Sequence, residues 1–247
     1  MAEPIDVAEQ DDVPDDEAEA VSRAEKLGQH LTRLVGSVVD NGVGPITGSV
    51  AWAEDRLARV QGDRYDPSQA GCRKPLDADR DDVEKVIARL IKESVAAAGG
   101  NGFVTGLGGL ITLPVTVPAN LAGALIVNAR LAGSIAYLRG YPVDDPQTRT
   151  VLLLVVLGSS AQQAARTLGI KIGHKAGEQA LKKLPAAMLR EINKKVGFML
   201  VAKYGTKRAA VTLAKAIPLL GGVAGGTIDA TMTAAVAKAA KSMFPNA

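Results

Sequence analysis

Soft metal ligands and aromatic side chains are scarce in this chain of 247 residues. It has one cysteine, Cys72, and two histidines, His30 and His174, so neither an internal disulfide nor a histidine–cysteine zinc site can form. Such cysteine usage is typical of a reducing compartment. Only eight residues are aromatic (three Phe, one Trp and four Tyr), although 47% are hydrophobic. The apolar mass is therefore aliphatic, which favours packed helices over β-sandwiches.

Basic residues are absent from residues 1–20, which carry nine acidic side chains. We predict that this segment is a disordered acidic tail preceding a single helical domain over residues 21–247. Its acids and prolines do not fit a secretory signal, so we expect a cytoplasmic protein. Residues 147–247 carry 15 basic side chains and only three acidic ones. The total charge of +3 therefore conceals a strongly basic C-terminal part.

Hydrophobic periodicity predicts helices along most of the chain, with Asp79 and Asp145 as N-caps and a polar loop over residues 61–78. Two of the helices are apolar almost all round, and short basic amphipathic helices follow residue 169. We therefore predict an all-α fold, a compact multi-helix bundle with two strongly apolar central helices and basic amphipathic helices around them. The predicted helices outside the basic segment cover residues 21–39, 50–60, 80–98, 118–139 and 219–243. A further buried helix begins at Asp145-Pro146 and includes the apolar residues 151–157.

Two patterns imitate ligand-binding loops but lack residues that those loops require. Gly106-Leu107-Gly108-Gly109 suggests a dinucleotide fingerprint, yet Ile111 stands where its third glycine should be. Asp77-x-Asp79-x-Asp81 imitates a calcium loop, but Asp82 replaces the required glycine and Ala88 the required glutamate. A glycine hinge and acids at a helix N-terminus explain these residues better. We expect no cofactor and no metal.

The sequence also lacks a convincing catalytic or nucleic-acid-binding signature. His30 falls on a peripheral helix and His174 among lysines, so neither is a persuasive catalytic base. Nucleic-acid binding would use aromatic side chains for base stacking, and the basic part has only Tyr204, Phe198 and Phe244. We expect no nucleic-acid partner.

Polar side chains inside the apolar helices form a candidate ligand site or structural polar core. Because a buried charge needs a partner, we hypothesise that Arg130 and Asp229 meet within the bundle. Their meeting would be either a structural ion pair or part of a ligand or ion pocket. The candidate core consists of Asn120, Asn128, Arg130 and Asp229.

Membrane association is suggested by residues 94–129, which carry no formal charge. The helix from Pro118 is long enough to cross a bilayer, but Arg130 near its middle would cost about 2.5 to 3.5 kcal/mol there. We therefore expect a basic face to rest on an anionic membrane surface, each lysine contributing about 1 kcal/mol. A basic face that contacts only solvent, and an apolar hairpin of residues 111–139 and 146–165 that inserts conditionally, are the alternatives. The predicted face consists of Lys171, Lys175, Lys182, Lys183, Lys194 and Lys195.

Two segments resemble the EcsC protein family. The first is GFVTGLGGLITLPVTVPANL at residues 102–121, followed by Arg130 and Gly140-Tyr141. The second is IPLLGGVAGG at residues 217–226, followed by Asp229. The family-like core covers about residues 80–244.

This resemblance implies a mostly helical protein of a family named after a product of a bacterial ABC-transporter operon. The family has no settled biochemical activity, and membrane association is suspected of it. The shared positions are largely glycines and prolines, which determine the path of the backbone rather than supply chemistry. We therefore expect a non-enzymatic, peripherally membrane-associated binding or accessory protein, with lipid or a protein as its partner. The rival is a hydrolase-like enzyme with a polar pocket around Arg130 and Asp229. The positions carried over are Gly106, Gly108, Pro114, Pro118, Asn120, Arg130, Asp229 and the C-terminal glycines.

Overall fold

The computed structural model describes residues 15–62, 78–99, 119–169, 185–206 and 221–246. Helices make up nearly all the regular structure in these ranges, which confirms the predicted all-α class. A short 3-10 helix, Gly158–Ser160, and a π-helical turn, Ala202–Thr206, accompany the α-helices. The α-helices are α1 (Asp15–Asp40), α2 (Ser49–Gln61), α3 (Arg80–Gly99), α4 (Ala119–Leu138), α5 (Pro146–Val156), α6 (Ala161–Thr167), α7 (Ala186–Val201) and α8 (Gly221–Met243).

Helix α1 begins inside the segment predicted to be a disordered tail. It starts at Asp15, six residues before the predicted start of the helical domain at residue 21. An ion pair one turn further on, Arg23 Nη2 to Glu19 Oε2 at 2.7 Å, adds local support.

The predicted N-caps are confirmed at two helices. Asp79 Oδ1 accepts a hydrogen bond from the main-chain N–H of Asp81 at 2.8 Å, ahead of α3. Asp145 accepts from the N–H of Thr148 at 2.9 Å, ahead of α5. Each cap satisfies an N–H that a helix start otherwise leaves without an acceptor.

A two-stranded hairpin joins α1 to α2, and the sequence reading did not predict it. Strands β1 (Gly42–Val43) and β2 (Ile46–Thr47) pair antiparallel, with Gly42 opposite Thr47. Gly42 has φ +81°, and a Cβ there would lie 1.9 Å from the carbonyl oxygen of Ile46, so only glycine fits. The available signal was Gly44-Pro45, the two residues between the strands, where Gly44 has φ +58°.

Helix α4 lies at the centre of the described residues. It packs against α1, α2, α3, α5 and α8, and its residues 123–129 and 131–136 are all buried. Residues 151–156 of α5 and the residue that caps its C-terminus, Leu157, are likewise all buried. Both helices contribute to one hydrophobic core.

Among the described residues no helix is both long and apolar enough to cross a membrane. Several predictions fall on residues outside the described ranges. These are most of the loop at 61–78, the glycine segment at 101–110 and four of the six predicted surface lysines, Lys171, Lys175, Lys182 and Lys183.

Candidate functional site

Arg130 projects from α4 towards the hairpin and α2. Its Nη2 donates a hydrogen bond to Thr47 Oγ1 at 2.6 Å, and the guanidinium carbon lies 4.1 Å from the ring centre of Trp52. Both partners are neutral, and the Nε–H of Arg130 is buried without an acceptor. The main chain is fixed as well, because Ser49 Oγ donates to the Arg130 carbonyl at 3.1 Å. The guanidinium is therefore held in place by neutral groups.

Arg130 lines a cavity of about 220 Å³ between α2, α3 and α4. Two further charged residues, Arg56 of α2 and Glu93 of α3, face the same space. The rest of the lining is mainly apolar, and it includes Ile46, Trp52, Ser94, Ala97, Ile126 and Val127. We call this space the Arg130 cavity.

The carboxylate of Glu93 is held by two arginines. Arg56 donates to Glu93 Oε2 from Nε at 3.1 Å and from Nη2 at 3.0 Å, and Arg89 Nε donates to Oε1 at 2.9 Å. Burial raises the pKa of Glu93, but the hydrogen bonds from Arg56 and Arg89 outweigh it and the pKa falls below its usual value. A carboxylate with a lowered pKa is a weak general base, so this cavity suits anion binding better than proton transfer.

Burial lowers the pKa of Arg130 to about 10, and the positive charge of Arg56 acts in the same direction. Glu93 opposes this shift only in part, since its charge is shared with Arg56 and Arg89. Arg130 remains charged at neutral pH. The cavity thus contains a cation that its surroundings disfavour.

Asn128 and Arg130, two residues of the predicted polar core, do not lie in one site. Asn128 and Arg130 are two residues apart on α4, so their side chains leave the helix about 200° apart. Asn128 is fully buried and donates from Nδ2 to the hydroxyl of Tyr204 at 3.3 Å. The Tyr204 hydroxyl in turn donates to the Val156 carbonyl at 3.0 Å. Asn128 therefore belongs to a structural network that joins α4, α5 and the π-helical turn.

Asp229 is a half-buried residue of α8, and the predicted ion pair between it and Arg130 is not formed. In the described part of the chain, Glu93 is the carboxylate whose negative charge affects the pKa of Arg130. The reason is directional, because Arg130 leaves α4 on the side of α2 and the hairpin. Asn120 falls within α4, and its side chain lies outside what the structure describes.

A second buried arginine, Arg139, carries an ion pair that the sequence reading did not predict. Its Nη2 lies 2.6 Å from Glu84 Oε1, and Lys241 Nζ lies 3.4 Å from Glu84 Oε2. These contacts join the end of α4 to α3 and α8. Since the Arg139 side chain is only 7% exposed, we regard the group as structural.

The two described lysines of the predicted basic face lie on α7 and are paired with glutamates. Lys194 Nζ is 2.8 Å from Glu25 Oε1 of α1, and Lys195 Nζ is 3.1 Å from Glu191 Oε1. Both lysine side chains stay more than half exposed. The first pair crosses from α7 to α1, whose backbones approach closely at Gly28 and Gly197.

A groove of about 440 Å³ runs beside this crossing, and we call it the α1–α7 groove. Its charged lining consists of Arg33, Arg190 and Lys194 with a single carboxylate, Glu25. Asn193 also lines it, and its Oδ1 is buried without a donor. The groove therefore combines excess positive charge with an unsatisfied polar group.

The residues around Arg130 that sequence reasoning missed are Thr47, Trp52, Arg56 and Glu93. Trp52 and Arg56 did carry a signal, because residues four apart on a helix share a face and this is the only tryptophan of the chain. Among the residues that the structure describes, no three His, Cys, Asp or Glu side chains cluster as metal ligands would.

Comparison with known proteins gives a family and no individual relative. The sequence profile of the EcsC protein family matches residues 65–245, which includes α3 to α8 and the cavity side chains of Glu93 and Arg130. No curated protein and no solved structure matches the chain significantly. The match spans well over half of the sequence and contains both segments that resemble the family. The chain therefore belongs to the EcsC protein family.

Proposed function

We propose that this protein is a non-enzymatic binding or accessory protein that associates peripherally with an anionic membrane surface. The observation that carries the proposal is the α1–α7 groove, where three cations face a single carboxylate. Lipid phosphates are attracted to such a surface, and the interaction weakens with salt. Family membership supplies no activity, so the proposal rests on this charge arrangement.

The sequence around α7 extends the positive charge beyond the groove. Residues 171–195 contain seven basic and two acidic side chains. Met188, in the first turn of α7, is 50% exposed, and the exposed Lys195, seven residues further on, lies on the same face of the helix. An exposed apolar side chain beside basic ones is typical of a helix that rests at a membrane interface.

The ion pairs of Lys194 and Lys195 do not prevent lipid contact. Exposed ion pairs of this kind contribute only about 0 to 1 kcal/mol. Either lysine can therefore exchange its glutamate for a lipid phosphate at little cost. Each basic residue near the membrane contributes about 1 kcal/mol, so removing three of them would lower the membrane affinity roughly a hundredfold.

Co-sedimentation of the full chain with vesicles of phosphatidylserine and phosphatidylcholine tests the proposal. We expect a triple variant, Arg190→Gln with Lys194→Gln and Lys195→Gln, to bind roughly a hundredfold more weakly than wild type. The matched control removes three exposed cations from α2, α3 and α8, through Arg59→Gln, Lys92→Gln and Lys238→Gln.

We expect this control to retain much more affinity than the α7 variant. Equal losses in the two variants would show that net charge alone governs binding. Wild-type binding that is as strong to pure phosphatidylcholine as to anionic vesicles would also contradict the proposal.

A further inference from the structure

The Arg130 cavity holds an arginine without an anionic partner. In the described part of the chain no carboxylate lies within ion-pair distance of Arg130, and its one hydrogen-bond partner is the hydroxyl of Thr47. A guanidinium has five N–H donors, so most of its donor capacity is unused. Glu93 cannot supply the missing charge, because Arg56 and Arg89 already bind both of its oxygens.

An unpaired, partly buried cation is normally avoided in a folded protein. Packing onto Trp52 compensates for part of the lost hydration, since an arginine over an indole face is attracted to it. That contact leaves the N–H edge of the guanidinium as the part available to an acceptor. Oxyanions are the acceptors that match this planar edge, because two oxygens can receive two parallel N–H groups.

The remaining lining limits the size and character of a ligand. Side chains of Ile46, Trp52 and Ile126 make much of the wall apolar, and Val127 and Ala97 continue it. The volume of about 220 Å³ is below that of sites for drug-sized molecules, which begin at about 300 Å³. A ligand that fills the cavity is therefore small and has an apolar part beside its charged group.

We propose that the Arg130 cavity is a binding site for a small organic oxyanion, a carboxylate or phosphate group on a short apolar chain. Arg130 contacts the oxyanion, and Trp52 orients the guanidinium and contacts the apolar chain of the ligand. This site goes beyond the proposed membrane association. It lies among α2, α3 and α4, whereas the membrane surface is assigned to α1 and α7.

The single tryptophan makes the site directly observable. Trp52 stacks with Arg130 inside the cavity, so a ligand there changes the tryptophan fluorescence with no contribution from elsewhere in the chain. The full chain is titrated with hexanoate and with hexyl phosphate, and in parallel with hexanol, which has the chain but no charge. We expect a saturable change with at least one of the two oxyanions, at a Kd at least tenfold below that for hexanol.

Calorimetric titration of variants identifies the residue that binds the charge. We expect Arg130→Gln to weaken oxyanion binding at least about tenfold, the loss of a charge-assisted hydrogen bond. Arg130→Lys retains the charge but not the planar fork, and should bind with intermediate affinity. Arg59→Gln, an exposed position on α2, is the matched control and should bind as wild type.

Three results would overturn the proposal. The first is the absence of a saturable fluorescence change in wild type with both oxyanions. The second is binding of hexanol as tight as that of hexanoate, which would indicate an apolar cavity only. The third is unchanged oxyanion binding in a folded Arg130→Gln or Arg130→Lys protein, with folding verified by far-UV circular dichroism. If Arg130→Gln does not fold, the wild-type comparison and Arg130→Lys decide the question.

Discussion

Gly133 lies where α4 meets the start of α2, and replacing it with alanine gives a sharp test of the packing. A Cβ at this position would lie 2.5 Å from Ser49 Oγ and 2.8 Å from Ser49 Cβ. Ser49 cannot easily move away, because it is fully buried and hydrogen-bonded to α4 twice. Its Oγ donates to the Arg130 carbonyl at 3.1 Å, and its carbonyl accepts from Ser134 Oγ at 2.8 Å.

The expected change in stability is the balance of three contributions. Alanine in a helix interior gains about 1 kcal/mol over glycine. Overpacking in a close-packed core costs about 1 to 3 kcal/mol. Displacing Ser49 weakens hydrogen bonds that contribute about 0.5 to 1.5 kcal/mol each. We therefore expect Gly133→Ala to destabilise the fold by about 1 to 3 kcal/mol, lowering Tm by several degrees.

Gly36→Ala is the matched control for this prediction. Gly36 also lies within a helix, but a Cβ there meets only Arg149 Nη1, at an ordinary 3.5 Å. We expect this variant to be as stable as wild type or up to about 1 kcal/mol more stable. Thermal and urea unfolding followed by circular dichroism measure both variants. If Gly133→Ala were as stable as Gly36→Ala, the close approach of α2 to α4 would be refuted.

Three other substitutions test the polar contacts of the core. Tyr204→Phe leaves the Val156 carbonyl without its donor, so we expect a loss of about 1 to 3 kcal/mol in urea unfolding. Glu84→Gln removes the carboxylate beside buried Arg139 and should lower Tm, whereas a Tm at the wild-type value would show that this ion pair adds nothing. Glu93 has a lowered pKa in the fold, so its contribution to stability is present above the ordinary value of 4.5 and is lost as the pH falls through the folded value. Glu93→Gln should therefore remove part of the acid dependence of unfolding, and an unchanged pH profile would contradict this.

Much of the fold could be predicted from local patterns. The apolar faces of α1, α2 and α3 have helical spacing, and the caps at Asp79 and Asp145 follow from side chains that accept N–H groups next to them in sequence. Such features depend on nearest neighbours along the chain. The hairpin before α2 escaped prediction because its strands are two residues long, too short to show an alternating pattern.

The candidate site could be predicted only in part. A charged residue inside an apolar helix identified Arg130 as exceptional, but its neighbours come from the hairpin, α2 and α3. Tertiary packing determines which helix each side of α4 contacts. The residues near Arg130 in the sequence do not reveal these contacts. Pairing Arg130 with Asp229 failed for this reason. Glu93 was uninformative in sequence because it stands on a helix with many other charges.

Membrane association is the central claim, and vesicle binding as a function of salt tests it most directly. Purified full-length protein is sedimented with phosphatidylserine-containing and with phosphatidylcholine vesicles at low and high salt, and bound protein is then washed with alkaline carbonate. The account predicts binding to anionic vesicles only, loss of that binding at high salt, and complete release by the wash. Protein that resists the wash would indicate insertion of the apolar helices, and the absence of binding to anionic vesicles at low salt would contradict the account.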